Sequence, residues 1–247
     1  MTDPIAAAPS REEQMVACAG RATMYSLLAY GLATPGPDRW RAIEESLLPA
    51  ATMLLLPGPV AAALDGLAEA APASWEELAE AHLLLFPPVA HQDAPGYETA
   101  YRGDDLFRQM DLLADVAGFY RAHGLRVGGE ERERPDHIVV ELEFCSLLCR
   151  KELHALQTLG PEQVEVCRET MMSFLGDHLA CWGPAFGRRS AAVAAHGWYR
   201  MLGELTQRWI DADVAALGVT PAEVASDPLP QDLPDDGSCG PCPTGAG

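Results

Sequence analysis

The sequence predicts an all-α fold, and three observations carry that prediction. Ala, Leu, Glu and Arg are abundant while β-branched residues are sparse, a balance that favours helix over strand. Apolar residues recur at mixed three- and four-residue spacing, with none of the alternating runs that bury one face of a strand. Capping residues and Pro/Gly clusters cut these runs into helix-sized pieces. The 247 residues, 48% hydrophobic, suffice for a sizeable core in a single-domain helical bundle.

A first helix is expected from Ser10 to Leu32. Ser10 and Glu13 form a capping box, and Met15, Ala19, Ala22, Leu27 and Tyr30 supply the apolar spacing. Pro35-Gly36-Pro37 breaks the chain before a short helix from Trp40 to Leu48, and Leu56-Pro57-Gly58-Pro59 breaks it again before one from Val60 to Glu69. Ser74 and Glu77 cap the next, Trp75 to Phe86, whose apolar stripe is Trp75, Leu78, His82, Leu85 and Phe86. From Pro87 to Gly103 no helical period is visible. Two tyrosines and a carboxylate (Tyr97, Glu98, Tyr101) sit on this stretch, whose length goes with function.

Asp104 or Asp105 caps a helix in which Leu106, Met110, Leu113, Val116, Ala117 and Tyr120 keep a 3.6-residue period up to Gly124. A polar connector, residues 128–134, then delivers the chain to what reads as the central helix. Pro135 suits a first helical turn, where its missing N–H has no intrahelical partner, and Asp136 sets a carboxylate at the positive end of the helix dipole. His137, Glu141, Cys145 and Cys149 follow at four-residue intervals, while Ile138, Leu142 and Leu148, flanked by Val139 and Phe144, form an apolar stripe.

That helix should end near Leu159-Gly160-Pro161. Another is expected from about Glu162 to Trp182 and a last from about Ala185 to Leu217, with Gly197 and Gly203 inside it for close helix contact or a kink. Thr220 and Glu223 suggest a final turn. The helical domain is assigned to residues 1–218. Residues 219–247 form an acidic tail rich in Pro and Gly, expected to stay disordered because it buries too little to offset its ordering entropy.

Seventeen basic and thirty-six acidic residues give a net charge of −19, which repels nucleic acid and anionic membrane surfaces and attracts cationic peptides. No apolar run reaches the roughly 18 residues of a membrane span, and Met1-Thr2-Asp3-Pro4 lacks the positive start of a secretory signal. A cytoplasmic protein without stable membrane insertion is expected. Seven cysteines, most within helical patterns, read as reduced thiols rather than a disulfide framework.

Three chemical readings stay open on the residues alone. His137 and Glu141 pair with each other, or share a metal with Cys145, which would make a metal- or cofactor-handling protein. Cys239-Gly240-Pro241-Cys242 has the spacing of a thiol redox pair, though in a tail without the helix N-terminus that activates such a thiol. Third, the stripe Trp75, Leu78, His82, Leu85 and Phe86 is either core or part of a surface that binds a partner, for which the net charge favours a basic peptide. No phosphate loop, G-x-S-x-G elbow or H-E-x-x-H occurs, so an enzyme is not expected.

The run Pro135-Asp136-His137 followed by Glu141-Leu142-Glu143-Phe144 resembles the signature of the TorD/DmsD/NarJ family of molybdoenzyme maturation chaperones. His82-Leu83-Leu84-Leu85-Phe86, Tyr97-Glu98-Thr99-Ala100-Tyr101 and the stretch from Phe174 to Trp182 fall in that family's order. This chain departs from the pattern at His82, where an aromatic is usual, at Arg134, where a proline often stands, and at Cys145, where methionine does. The resemblance implies a TorD-like all-helical chaperone without a cofactor, monomer or homodimer. It would bind the N-terminal, possibly twin-arginine, leader of a molybdoenzyme's catalytic subunit and hold the apoenzyme for cofactor insertion before export. The peptide-binding residues it points to are Asp136, His137, Glu141, Pro135, Trp75, His82, Leu85, Phe86, Tyr97 and Tyr101.

Overall fold

A computed structural model describes residues 9–88, 92–126 and 134–229. Within them the chain is helical: α1 (Arg11–Leu32), α2 (Pro37–Ala42), α3 (Leu48–Thr52), α4 (Gly58–Glu69), α5 (Trp75–Leu85), α6 (Thr99–Arg102), α7 (Leu106–Ala122), α8 (Ile138–His154), α9 (Pro161–Phe174), α10 (Ala180–Val193) and α11 (Gly197–Leu217). Widened π turns continue α2 into α3 (Ile43–Leu47), extend α8 (Ala155–Leu159) and join α9 to α10 (Leu175–Leu179). No strand occurs among the described residues; extended pairing is limited to one bridge between Tyr97 and His137.

Two antiparallel pairs build the core. α1 lies along α8, α10 along α11, and α4 and α9 cover α11 and α8 respectively. Tyr25, Phe174, Trp182, Phe186, Trp198 and Tyr199 are all but sealed between them, and Tyr25 meets Trp209 edge-on at 5.7 Å, joining the pairs. The α10–α11 crossing is set by glycine. A Cβ on Gly187 would lie 2.7 Å from the Gly203 carbonyl, and one on Gly203 2.7 Å from the Ala191 N–H nitrogen, so the two backbones touch.

Several local expectations hold in detail. Ser10 Oγ accepts from Glu13 N–H while Glu13 reaches back to Ser10 N–H, Asp105 caps α7, and Gly124 stops it at φ 77°. Others shift. The helices after Gly160 do not break near Gly183. Pro184 lies inside α10, while the break falls at residues 194–196, where His196 Nδ1 accepts the Trp198 N–H and makes Gly197 a first-turn residue. Leu106 and Met110 of α7 are exposed, and its buried face is Leu112, Val116 and Tyr120. The stretch read as loop from Pro87 to Gly103 contains the short helix α6.

Residues 219–229, assigned by sequence to the tail, run extended along the body and form no final helical turn. Ala222 N–H donates to Gly176 O, Ala225 N–H to Cys181 O and Leu229 N–H to Ala100 O, each at 2.8 Å. Glu223 adds ion pairs with Arg102 and Arg108. The polar connector of residues 128–133 and the Cys239/Cys242 pair lie outside the described residues.

Candidate functional site

The start of α8 is shaped by a backbone clasp. Glu98 N–H donates to Asp136 O at 2.9 Å and Ile138 N–H to Gly96 O at 2.8 Å, so residues 96–98 pair with residues 136–138 as a short antiparallel ladder. With residues 135 and 136 in a turn closed by His137 N–H on Arg134 O and residue 137 in the bridge, α8 starts one turn later than the sequence suggests. Its N-cap is His137, whose Nδ1 accepts the Val139 N–H at 3.3 Å. A Cβ at Gly96 would lie 3.0 Å from His137 Nε2 and press on that ring.

Asp136, expected to face a ligand at the helix start, is instead fully buried. Its Oδ2 accepts the Thr99 N–H (3.2 Å) and hydroxyl (2.9 Å), and Arg134 spans both oxygens at 3.0 and 2.9 Å. A carboxylate with this many donors closes the clasp from inside. The Arg134 guanidinium also reaches Thr99 Oγ1 at 2.7 Å and lies over the Tyr97 ring, 4.8 Å from its centroid.

Behind the clasp lies a second buried layer. Glu98 accepts from Arg102, which also donates to Asp177 O at 2.6 Å, and His178 Nδ1 lies 3.1 Å from Glu98 Oε2. His178 Nε2 lies 3.3 Å from Asp115, within ion-pair range but without hydrogen-bond geometry. Glu141 is also fully buried, and its carboxyl oxygens accept the Trp182 indole N–H at 3.1 and 3.3 Å. Burial, reinforced by the nearby Glu98 charge, pushes the Glu141 carboxyl well above its ordinary pKa, although the indole hydrogen bond opposes that rise. Glu141 is thus sealed from any ligand, contrary to the sequence-based expectation.

In front of the clasp opens a groove of about 680 Å³, within the usual size range of ligand sites. Its walls are the end of α1 (Leu32, Ala33), the end of α5 (His82, Leu83, Phe86), the loop at Gly96 and Tyr97, the end of α7 (Tyr120, Leu125) and one face of α8 (Val140, Glu143, Phe144, Leu147). Aromatic rings frame it. His82 lies 5.0 Å from Phe86, Phe86 stacks on Phe186 at 6.2 Å, and Tyr97 meets His137 edge-on at 5.0 Å. His82 Nε2 lies 3.3 Å from Leu32 O, so its polar ring is tied to the end of α1. Glu143 is an exposed carboxylate on this lining.

Of the ten residues predicted to bind peptide, the groove gathers His82, Phe86, Tyr97 and His137. Leu85 and Tyr101 are core, Tyr101 lying against Trp182 at 5.3 Å. Half-buried Trp75 packs on the core, and Pro135 serves the clasp by accepting the Tyr120 hydroxyl at 2.9 Å. Sequence reasoning missed Gly96, Val140, Glu143 and Leu147. The signal was present, since residues 140, 143/144 and 147 recur at helical spacing on a face adjacent to the stripe chosen.

Among the described residues no group of three or more His, Cys, Asp or Glu side chains is placed to hold a metal ion. His137 caps the helix and Glu141 serves Trp182, so the proposed metal pair is not assembled. Burial raises the Cys145 and Cys149 thiols and pushes Cys18 up to about 12. Among the same residues, no helix is long and apolar enough to cross a membrane.

Comparison with known proteins converges on one group. The chain is 39% identical over 98 residues to the selenate reductase assembly chaperone protein of Thauera selenatis, covering 39% of this chain and 50% of that protein. It is 28% identical over 206 residues to the perchlorate reductase assembly chaperone protein of Dechloromonas aromatica, covering 78% and 87%. The chaperone protein TorD of Photobacterium profundum matches at 28% over 141 residues, covering 57% and 64%. Against the selenate and chlorate reductase relatives the match spans half their length. The profile of the family described as nitrate reductase delta subunit matches residues 55–188, a span holding α5 to α8, the clasp and most of the groove lining. On that match, which covers more than half of the sequence, the chain belongs to this TorD/NarJ family.

Proposed function

We propose that this protein is a cytoplasmic chaperone for assembly of a molybdenum-containing oxidoreductase. It holds the N-terminal leader of the catalytic subunit in the groove while the apoenzyme receives its cofactor, and so delays export. The observation that carries this reading is an apolar, ring-lined groove, with Glu143, Arg39 and Arg126 on its lining, in a chain of net charge −19. A leader offering arginines beside an apolar stretch matches both features. The relatives that are assembly chaperones of selenate and perchlorate reductases support the same reading.

His82, Phe86, Tyr97 and His137 touch the peptide in this account, and Glu143 draws its positive end. Glu141, Pro135 and Tyr101 act from behind, fixing the wall on which Tyr97 and His137 stand, and Asp136 anchors the clasp through Arg134 and Thr99. Binding, not bond-making, is the task.

Pull-down from the native cytoplasm through an N-terminal tag, with mass spectrometry of the retained chains, tests the reading. A molybdoenzyme catalytic subunit with its leader uncleaved is the expected catch. Recovery of the folded protein with no such subunit, even after cofactor synthesis is blocked so that apoenzyme accumulates, contradicts it.

A further inference from the structure

We infer that Arg134 is an internal stand-in for a guanidinium of the partner, filling a recognition site that the partner's arginine enters by exchange. The inference deepens the leader-binding reading and rests on it. Three elements of arginine recognition meet at one point: a carboxylate presented edge-on, a hydroxyl, and an aromatic face. Asp136 gives both oxygens to the guanidinium at 3.0 and 2.9 Å, Thr99 Oγ1 lies 2.7 Å away, and the Tyr97 ring is 4.8 Å beneath it.

The Asp136 carboxylate is sealed, yet the Arg134 side chain that covers it is 47% exposed. Asp136 and Thr99 are held by the clasp and by α6, whereas Arg134 is the exposed member of the set and is the one that can leave, as another guanidinium arrives. The Tyr97 ring belongs to the groove lining, so a peptide lying in the groove passes beside this point. Exchange of one guanidinium for another leaves Asp136 paired throughout and avoids a bare buried charge, the outcome that would otherwise forbid opening the site. The contribution of a partner arginine is then small in the wild type and larger once Arg134 is gone.

Two readouts on the full chain test this. The first is chemical rescue: about 5 mM methylguanidinium is expected to raise the melting temperature of Arg134→Ala by a few degrees, while leaving the wild type and the double variant R134A/D136N unmoved. The second is calorimetry with two synthetic peptides, an apolar segment preceded by two arginines and the same segment with both replaced by glutamine. Arg134→Ala is expected to bind the arginine peptide about tenfold tighter than the wild type does, with affinity for the glutamine peptide unchanged.

Absence of rescue, together with equal changes for both peptides, overturns the inference and makes Arg134 a clamp of the groove wall. Rescue with no peptide binding by either protein keeps the guanidinium site and removes the leader reading. Tight binding of both peptides by the wild type, without rescue of the variant, does the reverse.

Discussion

At the C-terminal end of α8, Glu152 accepts from Arg168 at 2.5 Å and lies 3.9 Å from Arg21, which in turn spans Asp213 at 2.7 and 3.0 Å. The Tyr25 hydroxyl completes Asp213 at 2.6 Å. Two buried carboxylates meet two guanidinium groups there, and the four partners come from α1, α8, α9 and α11. At the N-terminal end the ratio differs. Glu98, Asp136 and Glu141 share Arg102, half-exposed Arg134 and His178, and Glu141 has an indole N–H in place of a cation. A balanced network is a staple between helices. At the groove end the third carboxyl, Glu141, is met by an indole N–H and a raised pKa instead of a third cation, so this network rests on a held proton where the staple rests on paired charges.

Removing a staple partner should produce the largest effect. Asp213→Ala leaves the Arg21 guanidinium buried with less compensation and the Tyr25 hydroxyl without its acceptor, and should cost about 3–5 kcal/mol. Chemical denaturation measures that loss. Titration of the folded variant should show unchanged peptide affinity, and an equal loss of both would mean that the two ends of α8 are not independent.

Glu141→Gln sharpens the comparison at the other end through pH. The folded-state pKa of Glu141 is raised above the ordinary 4.5, so the folded protein holds a proton that the unfolded chain releases. The contribution of this group to stability is therefore complete below about pH 4.5 and is lost as pH rises toward the folded pKa. Glutamine keeps an acceptor for Trp182 without titrating. The variant's melting temperature should fall less than the wild type's between pH 5 and 8, and parallel curves would show that Glu141 is ionised in the fold.

The smallest effect is expected at the lip. Glu143→Gln on the exposed rim should change stability by less than about 0.5 kcal/mol. It should weaken an arginine-bearing peptide about two- to fivefold, a difference that vanishes at high salt. Persistence of the difference at 1 M salt would assign Glu143 a buried contact.

The helices were legible because their signals are local. Ser10 with Glu13, Asp105 and Gly124 each act within one turn of themselves, and the structure uses all of them as read. Boundaries failed where a distant segment decided. Asp136 looked like a helix-start carboxylate until Gly96 and Glu98, some forty positions earlier, paired with residues 136–138 and turned it inward. A break was expected between Trp182 and Ala185, yet α10 runs through Pro184, following the widened turn at Leu175–Leu179. The motif residues were found by type, but whether each faces the groove or the core depends on how the ends of α1, α5 and α7 surround the start of α8, which spacing along one helix does not encode.

The account turns on the groove being the binding surface, and Val140 is the residue to test it. Val140 lies half-buried on the groove face of α8, away from the clasp and from the staple. Isothermal titration of wild type and Val140→Asp with an apolar, arginine-bearing leader peptide should show measurable binding by the wild type. The variant should lose at least about tenfold in affinity at a melting temperature within a few degrees of the original. Equal affinity for the two proteins would place the peptide elsewhere on the molecule and contradict the account.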